Sequence, residues 1–295
     1  MEKGLHSLKV NVVKKKDIIA YKGRNKMIDL HLHSNYSDGS ESMEEVVKRA
    51  KQAGLTEISF VDHDRQINVA EARRLSKLYD MKIIPGIEIS AYDFVRNRKV
   101  HILGYRYKED AQHIATLCDT VLQRRQQHSL AQLEKIIAAG YDIQAKEVEK
   151  YAKHSEIIYK QHMMHALTDA PFQSEQYQLL YRSLFKGDGI ASGDITYVCA
   201  IDAVEAIVKD GGIAVLAHPG QLDSFELVPT LVSHGLRGIE RNHFDHTPAH
   251  MERVDELART YHLVMTGGSD YHGIYGKGVS LGKWVSPQSI DKALV

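Results

Sequence analysis

Two stretches of the chain alternate short apolar runs with amphipathic ones. Residues 27–32 are apolar enough to predict a strand. Residues 40–53 carry helical spacing, with Ser40 as a candidate N-cap, Glu41, Glu44 and Glu45 near the positive helix end, and Gly54 as the stop. Strands are predicted over 56–61, 82–90 and 99–105, with a helix over 66–79. The rhythm returns with a helix over 201–209 ended by Gly211-Gly212, a β-rich run over 213–217, and a helix over 227–234. A strand over 236–241, a helix over 249–261 and a strand over 263–266 follow. Short buried strands alternating with helices predict right-handed parallel βα units.

Between 108 and 196 the pattern changes. Helical periods dominate at 111–139, 146–151, around 157–167 and at 175–185, and no strand is evident. The expected organisation is an α/β domain made of 27–107 and 197–295, interrupted by a helical insertion over 108–196. Insertions after barrel strands sit over the barrel mouth, where substrates are touched. Residues 1–26 are basic and weakly patterned (Lys14, Lys15, Lys16, Lys22, Arg24, Lys26) and read as a solvated leader or a short edge strand, a nucleic-acid arm being the sharper alternative.

Composition narrows the class. A chain of 295 residues buries roughly three quarters of its unfolded surface, so no disulfide or metal is needed to complete a core. Lys+Arg and Asp+Glu both number 38, which argues against nucleic-acid binding by bulk charge, though not against a local basic pocket. Two cysteines, Cys118 and Cys199, make no disulfide framework, and the expected location is the cytoplasm. No run of about 18 apolar residues predicts a membrane span, and no secretory signal is visible. No protein partner is implied. No phosphate-binding Gly-x-x-x-x-Gly-Lys loop is present, so no nucleotide cofactor is implied. Histidine is the outlier, with 17 copies unevenly placed.

Those histidines collect at predicted strand ends. The segments are Asp29-Leu30-His31-Leu32-His33 with Ser37-Asp38-Gly39, then Asp62-His63-Asp64, Gly86-Ile87-Glu88, His101, His218-Pro219, Glu240 and Asp270-Tyr271-His272. Strand side chains alternate faces, so His31 and His33 point the same way, as do Asp270 and His272. In parallel α/β folds the carboxyl ends of the strands meet at one rim, where sites form. So many imidazoles and carboxylates buried together are costly unless cations satisfy them. Mixed nitrogen and oxygen ligands suit Mn, Fe or Zn better than Ca or Mg. Asp29, Asp62 and Asp64 are candidates to fix a ligand imidazole from outside or to cap a turn. Asp62 and Glu240 are the candidate catalytic carboxylates, and Glu240 is equally placed to orient a ligand.

This order of motifs resembles the PHP (polymerase and histidinol phosphatase) family over roughly 27–276. It is similar above all to the branch of nucleoside 3′,5′-bisphosphate phosphatases and 5′–3′ exoribonucleases. The resemblance implies a distorted (β/α)7 TIM-like barrel with an inserted helical subdomain, holding two or three divalent metal ions. It implies that His31, His33, Glu88 and Asp270 hold one metal, that Glu88 bridges to a second held by His101 and His218, and that Asp38, His63 and His272 hold a third. All nine positions carry ligand-competent residues.

The resemblance further implies a metal-dependent phosphoesterase cleaving a phosphomonoester of a small phosphorylated metabolite, a nucleotide by preference, with metal-activated hydroxide. A 5′–3′ exonuclease on short RNA or DNA and a histidinol-phosphate-type phosphatase are the alternatives. A non-catalytic metal-binding module predicts broken ligand positions, and none is seen. Lys160, His162, Arg241 and Asn242 are the substrate-binding candidates, with Arg124 and Arg125 as further cations. Where that branch usually reads Arg-Pro-His, this chain has Lys160-Gln161-His162, which keeps the charge but loses the planar guanidinium fork.

Overall fold

The computed structural model describes residues 26–294, and the basic leader, save Lys26, lies outside them. β1 (Ile28–Leu32) is buried along its whole length. In α1 (Met43–Gln52) the cap is Ser42 rather than Ser40. Glu45 stands three residues past Ser42 and accepts from its backbone N–H at 2.8 Å, completing a capping box. Ser40 Oγ is engaged elsewhere, accepting from Ile274 N at 2.9 Å. β2 (Glu57–Phe60) leads to α2 (Val69–Tyr79), whose start is set by Asn68 as N-cap. β3 (Lys82–Asp93) and β4 (Arg98–Tyr105) follow.

α3 (Gln112–Ala138), α4 (Ala145–Tyr151), α5 (Lys160–Leu167) and α6 (Glu175–Phe185) occupy the region read as helical. They bury a cluster of their own around Leu133, Ile136, Val148, Met163, Met164 and Leu184. β5 (Val198–Cys199) is a short parallel addition to β3. The remainder runs α7 (Ala200–Lys209), β6 (Ile213–Leu216), α8 (Pro219–Leu222), α9 (Val228–Ser233), β7 (Leu236–Asn242), α10 (Pro248–Tyr261) and β8 (Val264–Gly267).

The eight-stranded sheet has the order β1-β2-β3-β4-β6-β7-β8, with β5 off that path. Most neighbours are parallel, but β4 runs antiparallel to both β3 and β6. The wholly parallel expectation fails here for a simple reason. β3 ends at Asp93 and β4 starts at Arg98, and so short a link permits only a hairpin, since a parallel crossover needs about a dozen residues. The sheet curls into a half-barrel, and Leu32 bridges Tyr271 just beyond β8. Alternation along β6 puts Ala214 and Leu216 in the cluster that includes Val204 and Ile207 of α7, and Ile213 and Val215 in a second cluster with Leu30, Leu103 and Tyr105. Each buried Val, Leu or Ile of these clusters contributes roughly 1.5–3 kcal/mol. The Tyr105 hydroxyl, carried inside, donates to Leu30 O at 2.8 Å.

A candidate metal centre at the strand ends

The strand ends bring Glu88 into the middle of a ring of imidazoles. Its Oε2 lies 3.3 Å from His31 Nε2, 3.2 Å from His33 Nε2 and 3.4 Å from His63 Nδ1. Its Oε1 lies 2.9 Å from both His101 Nδ1 and His218 Nε2. Asp270 Oδ1 stands 3.4 Å from His31 Nε2 and 3.3 Å from His33 Nε2. Asp38 Oδ1 stands 3.3 Å from His272 Nε2 and 3.7 Å from His33 Nδ1. All nine residues proposed as ligands from the sequence therefore gather in one place.

Local backbone aims two of them, and a neighbour, Asp64, shares the conformation. His218 and Asp270 have φ of 22° and 49°, and Asp64 has 56°, left-handed values that L-residues adopt only where the surroundings impose them. Gly268 allows the last strand to approach the first. A Cβ there would lie 2.4 Å from His31 Cβ and 2.5 Å from His31 N.

The donor set fits divalent cations. His31 Nε2, both ring nitrogens of His33, and His63 Nδ1 are buried without any hydrogen bond. Four groups have ligand atoms within 4.8 Å of one another: His33, Asp38, His63 and His272; His31, Glu88 and His218; His31, His33 and Asp270; and His63, Glu88 and His101. Burial alone would raise the Glu88 and Asp270 carboxyls, yet the surrounding imidazoles hold both well below their usual range. Burial pushes His63 down to about 3, which keeps it neutral and free to ligate. His33 is also pressed down by burial, but the Asp270 and Glu88 carboxylates lift it to about 10.

Outer partners fix this set. Glu240 Oε1 meets His31 Nδ1 at 3.0 Å, while its Oε2 accepts from His218 N at 2.8 Å. Both oxygens are thus engaged by residues of the cluster itself. Asp29 does not reach an imidazole ring. Its Oδ1 accepts from His31 N at 3.2 Å and Ser269 N at 3.0 Å, and burial raises its pKa to about 7. Asp62 is likewise turned away from the cluster, because serines of the loop after β1 claim it. It accepts from Ser34 N at 2.8 Å and from the Ser34 and Ser37 hydroxyls at 2.7 Å each. Two partners were not recognised in the sequence. His243 Nε2 faces Asp270 Oδ2 at 3.3 Å, and Gln161 Nε2 donates to Asp38 Oδ2 at 2.8 Å.

A cavity of about 280 Å³ adjoins the cluster, with Asp38, His63 and His101 on one side and Lys99, Arg125, His128 and Lys160 among its other walls. Burial lowers Lys160 to about 8. Arg125 Nη2 reaches Asp64 Oδ2 at 2.9 Å and Ser90 Oγ at 3.0 Å. The other substrate-binding candidates do not line this cavity. His162 is buried, its Nδ1 accepting from Tyr159 N at 3.2 Å, and burial pushes it to about 4. Arg241 is captured by Asp255 of α10, at 2.5 and 2.8 Å, and the Asn242 amide donates to Val285 O at 2.8 Å. Arg124 donates to Thr196 O at 2.8 Å.

An imidazole–carboxylate cluster at the rim of a curled α/β sheet, beside a cationic cavity, defines the class: a metal-dependent hydrolase of phosphoric esters. The chain belongs to the PHP domain family, whose model matches residues 29–208. It is 51% identical over 249 residues to a phosphoribosyl 1,2-cyclic phosphate 1,2-diphosphodiesterase of Eggerthella lenta, covering 84% of this chain and 95% of that one. It is 29% identical over 259 residues to the 5′–3′ exoribonuclease Rnm of Escherichia coli, covering 83% and 84%. A 3′,5′-nucleoside bisphosphate phosphatase of Chromobacterium violaceum is 27% identical over 252 residues, with 83% and 87% covered. Among solved structures, a protein of Bifidobacterium adolescentis provisionally described as a metal-dependent phosphoesterase superposes with a TM-score of 0.80 at 26% identity, covering 92% of this chain and 95% of that one. Among the described residues no helix is long and apolar enough to cross a membrane.

Proposed function

We propose that the chain hydrolyses an ester of a phosphorylated ribose, with the scissile phosphoryl group at the His/Asp/Glu cluster and a second phosphate in the cationic cavity. The adjacency of the two carries this reading, since Asp38, His63 and His101 belong to both. A phosphoribosyl cyclic phosphate, the substrate named for the 51% identical relative, carries two phosphate groups on one small scaffold. In the proposed ligand sets, His31, His33, Glu88 and Asp270 hold one cation. Glu88, His101 and His218 hold a second, and Asp38, His63 and His272 a third. Bound divalent cations there supply Lewis-acid polarisation of the phosphoryl oxygens and hydroxide at neutral pH. The chain's own work is positional: Glu240 fixes His31, while Lys160 offers ammonium charge to the second phosphate, Lys99 being paired with Asp194 in the same wall. In this reading the helices over 108–196 are an insertion lying as a lid over a distorted (β/α)7 barrel.

One observation favours a nucleotide as a second reading. Beyond Gln161 lies a recess of about 440 Å³ walled by Phe172, Tyr177 and Tyr275, suited to stacking a base. The two are separated by measuring phosphoester cleavage of a phosphoribosyl cyclic phosphate, a nucleoside 3′,5′-bisphosphate and a short oligoribonucleotide, with Mn²⁺ and with chelator. The cyclic phosphate is expected to give the largest kcat/KM, and only with metal. No cleavage of any of the three with Mn²⁺ would refute the proposal.

A further inference from the structure

Both aspartates of the cluster present one oxygen to the imidazoles and commit the other to a donor outside it. Asp270 turns Oδ1 to His31 and His33 and Oδ2 to His243 Nε2, at 3.3 Å. The proton on His243 is placed by its other nitrogen, which accepts from Asp245 N at 3.2 Å, so Nε2 is the donor. Asp38 turns Oδ1 to His272 and His33, and its Oδ2 accepts from Gln161 Nε2 at 2.8 Å. The amide must point this way, because its carbonyl oxygen would face a carboxylate oxygen. The two outer donors differ in origin. His243 follows β7 of the sheet, whereas Gln161 sits in the first turn of α5, next to Lys160 of the cationic cavity.

We propose that Gln161 is a positioning residue through which the helical segment sets the cation site at Asp38. This rests on reading the cluster as a metal centre. The neutral amide holds Oδ2 and leaves Oδ1 as a single-oxygen ligand beside His63 and His272, without adding a charge that competes with the ion. Outer partners of ligands commonly govern metal affinity by 10–100-fold.

The test uses the full chain stripped of metal and titrated with Mn²⁺, in wild type, Gln161→Met (similar length, no donor) and Gln161→Ala. The expected result is that one Mn²⁺ site loosens by about 10–100-fold while the others keep their affinity. Turnover at limiting Mn²⁺ should fall in kcat and recover at saturating Mn²⁺, with KM within about twofold of wild type. A packing role alone would leave the Mn²⁺ isotherm unchanged and raise KM beyond rescue by metal, and that outcome overturns the proposal, as does equal loosening at every site. If Gln161→Met fails to fold, Gln161→Ala gives the same reading. Should the wild type bind Mn²⁺ yet cleave no phosphoester, the proposed function fails, and the isotherms still decide the role of Gln161.

Discussion

A carboxylate buried among imidazoles stays ionised because they lend it protons or because a shared cation takes their place. Glu88 touches His31, His33, His63, His101 and His218 through its two oxygens, with its side chain 1% exposed. Glu88→Gln preserves shape and removes the charge. Mn²⁺ bound per chain, measured by elemental analysis after gel filtration, should then fall, with affinity at least about a hundredfold weaker and phosphoester turnover lost with it. Full metal content in that variant would contradict the bridging role. Lys160 supports a second prediction at this scale. Burial lowers it to about 8, so it is a cation below that pH and neutral above. Its attraction for a second phosphate is present at pH 7 and lost as pH rises through about 8. KM for a doubly phosphorylated substrate should therefore climb across that range, and Lys160→Met should have a higher KM without that limb. An identical alkaline rise in the variant would assign it to another group.

At the scale of elements, the centre depends on how closely β8 and the loop after it approach β1. Gly268 lies against His31 N and Asp29 Oδ1, where a Cβ would be 2.5 and 2.7 Å away. Because the first contact is backbone, the strand itself must give. Gly268→Ala should cost about 1–3 kcal/mol by chemical denaturation and lower metal affinity by displacing His31. Unchanged stability and metal binding together would show that this approach has slack. The same comparison marks what the chain discloses locally. His31 and His33 were legible as a pair because strand alternation alone puts them on one side, and the helices of 112–185 were legible from their period. The direction of β4 was missed, because strand patterning carries no direction and the link between the two strands is shorter in the structure, 93–98, than the sequence reading made it. Ser40 and Ser42 both offer a cap, and Glu45 decides between them. Gln161, His243 and the capture of Arg241 by Asp255 join residues far apart in the chain or turn on side-chain direction, and periodicity carries no record of either.

For the whole molecule, the cluster is a conflict that folding creates and a cation resolves. Asp38, Glu88 and Asp270 carry charge into a buried site, and orphaned nitrogens of His31, His33 and His63 face them. The aliphatic clusters beneath the helices do not depend on this site, so the chain has a core with or without metal. The unfolded chain, with these ligands scattered from His31 to His272, binds a cation far more weakly than the assembled centre does. Mass action then makes metal a stabiliser, worth about 2.7 kcal/mol per site at a hundredfold excess over its Kd. At roughly 2 °C per kcal/mol for a chain of this size, two filled sites should raise the melting temperature by on the order of 10 °C. Calorimetry of the Mn²⁺-loaded protein against the same protein in chelator measures this directly. His33→Ala removes a residue shared by two of the candidate groups and should shrink the difference without abolishing cooperative melting. A chelator that leaves the wild-type melting temperature where it was would mean that the folded chain satisfies these imidazoles without cations.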